Sequence, residues 1–407
     1  MDRLSCVEKT ISLDYNEKVH AFINYFTIRN REYTRMVQRR REMFFPLFEK
    51  YLAKYNLPDE LKYLSIIESG LNPRAISRAR AVGLWQFMSA TGKYFGLKHD
   101  WYVDERMDPE KSTDAACRYM KQLYTIFGDW QLALAAYNSG PGTVRSAIRR
   151  SGYKKTFWEI YHYLPRETRS YVPQFIAIIY TLNYTSEHNL IELATEKLPE
   201  HDTLTVKQYL HLKTLANLTG TCLEDIQKLN PSIQRGALPD NGKTHVLKIP
   251  SIAKANLELN RVAILDSAGK VGRRDIELMA KKTTGSTYGR ELIVYQVRSG
   301  DVLGLIAQRH GVRTEDIRSW NNLSSNMIRV GQKINLWVLP SLQDKTSAAP
   351  SASAVISIGD TKTYTVQPGD TLWDISKKVP GLTIEKIKSL NNLKTNKLKP
   401  GQKLRLG

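Results

Sequence analysis

Leu64-Ser65-Ile66-Ile67-Glu68-Ser69-Gly70, with Asn72-Pro73 just beyond, is the stretch on which the reading turns. An apolar run followed by Gly and Asn-Pro describes the end of a helix, with Glu68 in its last turn. There the negative end of the helix dipole disfavours the ionised carboxyl. Packing beside Ile67, with Trp85 or Tyr137 as further candidates, would disfavour it again by desolvation. A carboxyl so placed stays protonated near neutral pH and can donate to a leaving oxygen. A lone helix-end glutamate is normally solvated, so the assignment depends on the strings around it.

Gly83-Leu84-Trp85-Gln86-Phe87-Met88 offers a glycine where backbone can approach a ligand, a Trp face and an amide. A pyranose has an apolar face and a rim of hydroxyls, so a sugar site needs that mixture. Taken alone, a Trp beside a glycine turn also fits a plain core position. Trp130 to Tyr137 is an apolar helical run closing at Asn138-Ser139-Gly140-Pro141, which puts Tyr137 and Asn138 at a helix end. Taken alone, that string also fits an ordinary helix cap. Tyr171 follows in Arg166-Glu167-Thr168-Arg169-Ser170-Tyr171-Val172-Pro173.

As an ordered set, Glu-Ser, Gly-Leu-Trp-Gln-Phe-Met, Ala-Tyr-Asn and Tyr-Val-Pro resembles the soluble lytic transglycosylase domain. That domain is related to goose-type lysozyme, and the resemblance is to its membrane-bound D type, over about residues 14 to 185. It implies a mostly α, lysozyme-like domain with Glu68 as the single catalytic acid/base. It further implies Ser69, Trp85, Gln86, Phe87, Met88, Tyr137, Asn138 and Tyr171 as substrate-binding residues. On the implied mechanism, Glu68 protonates the glycosidic oxygen between N-acetylmuramate and N-acetylglucosamine. It then deprotonates the muramate C6 hydroxyl, closing a 1,6-anhydro ring without water. The substrate's 2-acetamido group, with Tyr137 or Tyr171, would stabilise the cation. Most glycosidases use two carboxyls. Asp104, Glu105 and Asp108 are the candidates for a second, but Arg106 lies among them, and ion pairing and helix capping are the expected roles.

The carboxyl half contains a repeat. Val294 to Asp301 recurs as Thr363 to Asp370, and Gly331-Gln332-Lys333-Ile334 as Gly401-Gln402-Lys403-Leu404. Each copy reads as strand, helix, turn, a second helix ending in Asn-Asn, and a closing strand. The pattern resembles LysM modules, small α+β (βααβ) units that recognise N-acetylglucosamine-containing glycan. Asp370, Thr371, Leu372 and Asn391, with Asp301 and Asn321 in the first copy, are the implied glycan-binding residues. The first copy departs from the pattern at Val302 and Gly304. Repetition raises avidity through effective concentration. A fainter LysM-like copy lies at about 203–250, where a structural spacer fits as well.

A multidomain organisation follows. It comprises an N-terminal amphipathic helical extension over 1–50, a catalytic domain over 51–185 and a connecting region over 186–290. LysM modules at 291–339 and 362–407 flank a small-residue, flexible linker over 340–361. The net charge is +20, and residues 362–407 alone hold ten basic against three acidic side chains. Such charge suits an anionic wall polymer, and no nucleic-acid-binding signature accompanies it. Arg29 to Arg41 reads as the solvated face of an amphipathic helix built on Val19, Phe22, Ile23, Phe26 and Tyr33. Three cysteines without metal or redox spacing, Cys6, Cys117 and Cys222, predict no metal site, and neither domain type implies a cofactor.

No apolar run reaches the length of a membrane span; Phe175 to Leu182 is the nearest. Leu4-Ser5-Cys6 partly resembles a lipobox, but Arg3 and the lack of an apolar stretch before it argue against lipid attachment. The expected partners are peptidoglycan glycan strands, in the periplasm or cell envelope. The signal segment such an address needs is absent here, which points to a trimmed or misassigned start. True hydrolysis and wall binding without catalysis are the alternatives.

Overall fold

The computed structural model describes residues 2–340, 356–358, 361–366, 372–377, 382–393, 395, 398 and 401–406. The chain divides into two compact units, Met1–Leu342 and Gln343–Gly407, each taken by itself.

In the first unit, one apolar core runs from Leu4 to Leu182. Helices Glu17–Asn24, Arg31–Lys54, Leu64–Ser69, Pro109–Phe127, Trp130–Ser139, Pro141–Arg150 and Arg166–Asn183 enclose it. Arg166–Asn183 is the central rod: Val172, Phe175, Ile176, Ala177, Ile178 and Ile179 are all buried. A helix apolar on most sides belongs inside a fold. Asp108 and Asp129 start their helices by accepting backbone N–H bonds. Among the described residues no helix is long and apolar enough to cross a membrane.

Two expectations for the N-terminal segment need correction. The apolar spacing from Val19 to Tyr33 does not belong to one helix: a π turn, Tyr25–Arg29, and a break at Asn30 (φ −126°, ψ 48°) divide it. Nor are all its arginines simply solvated. Arg31 donates to the carbonyls of Thr27, His188 and Asn189, Arg39 pairs with Glu192 at 2.7 Å, and Arg40 donates to Gly70 O at 3.1 Å. Arg31 and Arg39 clamp the segment that follows the central rod and Arg40 holds the end of the Glu68 helix, long-range roles that helical spacing cannot show. The buried Glu60 ties down the start of the chain, its Oε1 accepting from the N–H groups of Lys9, Thr10 and Ile11.

Three small βααβ units follow. In the first, strands β1 (His201–Val206) and β4 (His245–Pro250) pair antiparallel around helices Leu212–Thr219 and Leu223–Leu229, with short β2 (Leu210–His211) and β3 (Ala237–Leu238) between. In the second, β5 (Glu291–Gln296) pairs with β6 (Lys333–Val338) around Leu303–Arg309 and Thr314–Asn321. The third forms the other compact unit, with β8 (Thr361–Thr365) pairing with β9 (Lys403–Arg405). Strand β7 (Ile356–Ile358) pairs with β8 from within the expected linker, so that segment is not linker throughout. Residues 341–355 of it lie outside the described residues.

One asparagine does the same work in every unit. Asn230 Nδ2 donates to Ile226 O and Lys248 O, and its Oδ1 accepts from Lys248 N. Asn321 makes the same three bonds to Ile317 and Asn335, and Asn391 to Ile387 and Arg405. The amide thus staples the second helix to the closing strand. Because Asn230 is buried, Asn230→Ala strands polar groups and is expected to cost about 2 kcal/mol, read as a lower urea midpoint.

Candidate active site

The Leu64–Ser69 helix ends where the sequence places its end. Gly70 adopts φ +59°, and its N–H closes the last turn on Ile66 O. Tyr33 also donates to Ile66 O, at 2.6 Å, which fixes the helix end that carries Glu68.

Glu68 is only partly buried by exposed area, yet its carboxyl is crowded enough that desolvation pushes its pKa up to about 7. The Tyr171 hydroxyl donates to Glu68 Oε1 and acts in the opposite direction, while Glu167 adds to the rise. Tyr171 and Tyr137 are themselves held well above the usual phenol range, first by burial and then by the Glu68 charge. The group can therefore hold, release and retake one proton close to neutral pH, with a neutral phenol attached.

The Gly83–Met88 loop is fastened on three sides through its carbonyls. Leu84 O accepts from Ser65 Oγ at 2.9 Å and Ser69 Oγ at 3.0 Å, Trp85 O from Tyr137 Oη at 2.7 Å, and Phe87 O from Arg106 Nη1 at 3.3 Å. Several expected binding residues consequently have other work. Trp85 is 1% exposed, packs on Phe48 and donates to Thr113 Oγ1, so it is core and offers no stacking face. Phe87 is core as well. Gly83 (φ +88°) is required because a Cβ would lie 1.9 Å from Arg106 O, so the close approach is to backbone of this chain. Ser69 and Tyr137 direct their hydroxyls to the loop rather than away from it.

Met88 remains exposed. Gln86 is held in the left-handed region (φ 46°), its amide donating to Gly83 O and Ala75 O. Asn138 Oδ1 accepts from Thr168 Oγ1, joining the Trp130–Ser139 helix to the rod that carries Tyr171. Ser65 and Thr168 are residues that reading the sequence missed, and of Arg106 it saw the ion pairing but not the bond to Phe87 O. Ser65 left a signal, one helical turn before Ser69.

The candidate second carboxyls are engaged elsewhere. Asp104 is forked onto Arg106, Glu105 pairs with Lys111, and Asp108 caps a helix. Among the described residues no cluster of His, Cys, Asp and Glu is gathered for a metal.

The module residues also need correction. Asp301 is engaged by Tyr295 Oη, Arg298 N and Arg309. Asn321 and Asn391 are the staples described above, and Leu372 is core. These four build the modules, so none is free to read a sugar. Asp370 and Thr371 lie outside the described residues.

Residues 46–160 match the Transglycosylase SLT domain, 200–265 the lytic transglycosylase MltD LysM-like domain, and 295–337 and 364–407 the LysM domain. Membrane-bound lytic murein transglycosylase D of Escherichia coli (strain K12) is 32% identical over 389 residues, spanning 93% of this chain and 79% of that protein. The chain belongs to that family. It is a lytic transglycosylase, with a helical catalytic domain and small LysM units. An autolysin of Enterococcus faecalis (strain ATCC 700802 / V583) is 36% identical over 113 residues, 28% of this chain and 14% of that one. The 70 kDa soluble lytic transglycosylase of Escherichia coli aligns over 44% of this chain and 33% of its own, at 24% identity and a TM-score of 0.32.

A carboxyl whose pKa rises from 4.5 to about 7 on folding binds its proton more tightly in the folded state. The fold therefore loses stability as pH climbs through that window. Glu68→Gln removes the ionisation, so it should be more stable than the parent by about 3 kcal/mol above about pH 8 and unchanged below about pH 4. Thermal unfolding at the two pH values measures the difference.

Proposed function

We propose that this enzyme cuts peptidoglycan glycan strands at the β-1,4 bond between N-acetylmuramate and N-acetylglucosamine, without water, using Glu68 as acid and then base. The observation that carries this reading is one crowded carboxyl of pKa about 7, with the nearest alternatives Asp104, Glu105 and Asp108 tied up elsewhere. Glu68 gives its proton to the glycosidic oxygen as the C1–O bond breaks. The carboxylate left behind takes the proton of the muramate C6 hydroxyl, and O6 closes on C1 as a 1,6-anhydro ring. The proton balance is zero, so a single group suffices.

Tyr171, hydrogen-bonded to Glu68, is the phenol that steadies the carboxylate between the two steps. Tyr137, engaged with Trp85 O, acts by holding the loop. Gln86 and Met88, from the loop, and Asn138, from the helix end, contact the sugar. A strained, left-handed glutamine is the kind of local cost found at working sites. The two C-terminal LysM units hold N-acetylglucosamine-containing glycan, and the site of action is the periplasm or cell envelope. The relative's name, a membrane-bound murein enzyme, supports that address.

Mass spectrometry of muropeptides released from purified sacculi tests the reading. Products lighter by one water than hydrolysis products, falling about a thousandfold with Glu68→Gln, are expected. Fully hydrated reducing ends would make the chemistry that of a lysozyme. Unchanged release by Glu68→Gln would remove the assignment.

A further inference from the structure

The 200–265 region has the strand–helix–helix–strand order of the two C-terminal modules, with Asn230 standing where Asn321 stands. On that correspondence, the segment between second helix and closing strand is 231–244 here and 322–332 in the first C-terminal module. There the segment is mostly open, with Met327 84% and Val330 70% exposed, as is Val302 after the first strand. Its tie to the catalytic region is Asn322 Nδ2 donating to Arg78 O at 3.1 Å. In the 200–265 region the same face is covered. Strands β2 and β3 pair, closing the two loops on each other. Ile233 is buried and bridges Val103, Ser232 O accepts from Asp104 N at 2.9 Å, and Gln234 N donates to Tyr102 O at 2.7 Å. Trp101 and Tyr102 of the catalytic region share an apolar cluster with Tyr209 and Ala237.

The covering segment leads to the active-site loop. Next along it come Asp104 and Arg106, whose guanidinium forks onto the Asp104 carboxyl (3.0 and 2.7 Å) and donates to Phe87 O at 3.3 Å and Ser89 Oγ at 3.2 Å. The carbonyl of Arg106 occupies the space beside Gly83. From the other side, Arg74 donates to Pro231 O and Gln227 O, both at 3.3 Å. The carbonyl of its neighbour Ala75 accepts from Gly83 N and Gln86 Nε2. Both routes run from the module's covered face to the loop that bonds the Glu68 helix through Leu84 O.

We propose that the 200–265 module is a buttress for the catalytic loop rather than a glycan reader, and that Arg106 is the positioning residue that carries its support to Gly83–Met88. The arrangement gives the module a part in catalysis although it contacts no reacting atom. A loop displaced by about 1 Å can cost a hundredfold in rate. Loosening it would also free the helix end that carries Glu68, held to the loop through Ser65 and Ser69, and let more water reach the carboxyl beside Tyr171. Solvation lowers a desolvated acid's pKa, so the alkaline limb of activity would move to lower pH.

The inference rests on Glu68 being the acid. Its test is the kinetics of the full chain on soluble, uncrosslinked glycan strands, comparing Arg106→Lys, Arg74→Ala and Glu68→Gln. Arg106→Lys keeps the charge but loses the fork; kcat should fall about ten- to a hundredfold, with KM nearly unchanged and the alkaline limb displaced downward. Arg74→Ala, at an exposed position, should do the same more weakly, and it decides alone if Arg106→Lys does not fold. Activity falling only in proportion to folded protein, with an unmoved pH profile, would overturn the buttress. So would a loss confined to KM, which would make the module a glycan binder. Activity that survives Glu68→Gln sinks the proposed function; activity lost there but untouched by the two arginine variants sinks this inference alone.

Discussion

Desolvation of one carboxyl group is the constraint the rest of the catalytic region serves. A glutamate in water is ionised at neutral pH and useless as an acid. Raising its pKa to about 7 requires that the folded chain crowd it while keeping a polar partner within reach. The Leu64–Ser69 helix delivers Glu68 at its C-terminal end, the Arg166–Asn183 rod delivers Tyr171, and the core from Leu4 to Leu182 holds both still. Burial wins over the tyrosine hydrogen bond in setting the pKa, and that bond keeps the carboxylate tolerable once it forms.

The loop opposite is held by its backbone. The carbonyls of Leu84, Trp85 and Phe87 are taken by hydroxyls of the Glu68 helix, by Tyr137 and by Arg106. A buried carbonyl left without a donor is costly, so each of these bonds fixes the loop against a different piece of the fold. The side chains that look most like sugar ligands, Trp85 and Phe87, are instead the weight that keeps the loop seated. The substrate-facing surface is left to Gln86, Met88 and the helix-end groups.

The small modules show one architecture with its faces used differently. A single asparagine staples helix to strand in all three, a local solution that survives where other similarity has faded. The first repeat leaves most of its loop face open, tied through Asn322 to Arg78 O, whereas in the 200–265 region that face is covered by the catalytic segment Trp101–Val103. Family resemblance at the level of the staple therefore says nothing about what the face touches.

Sequence alone determined the helix end at Gly70, the ordered catalytic strings, the repeat and the strand–helix–helix–strand order of its copies. All of these rest on local rules: glycine at a positive φ, apolar periodicity and residue spacing. For the crowding of Glu68 it offered Ile67, Trp85 or Tyr137, and the family pattern added Tyr171 to the site; the hydroxyl found on the carboxyl is that of Tyr171. The roles of Trp85, Ser69, Asp301, Asn321 and Asn391 were misread because a side chain's partner lies dozens of residues away or in a neighbouring element. The arginines from Arg31 to Arg40 illustrate the same limit. Only the tertiary structure could decide which polar atoms remain free for a ligand, because hydrogen-bond satisfaction and desolvation are properties of the assembled surroundings and not of the residue.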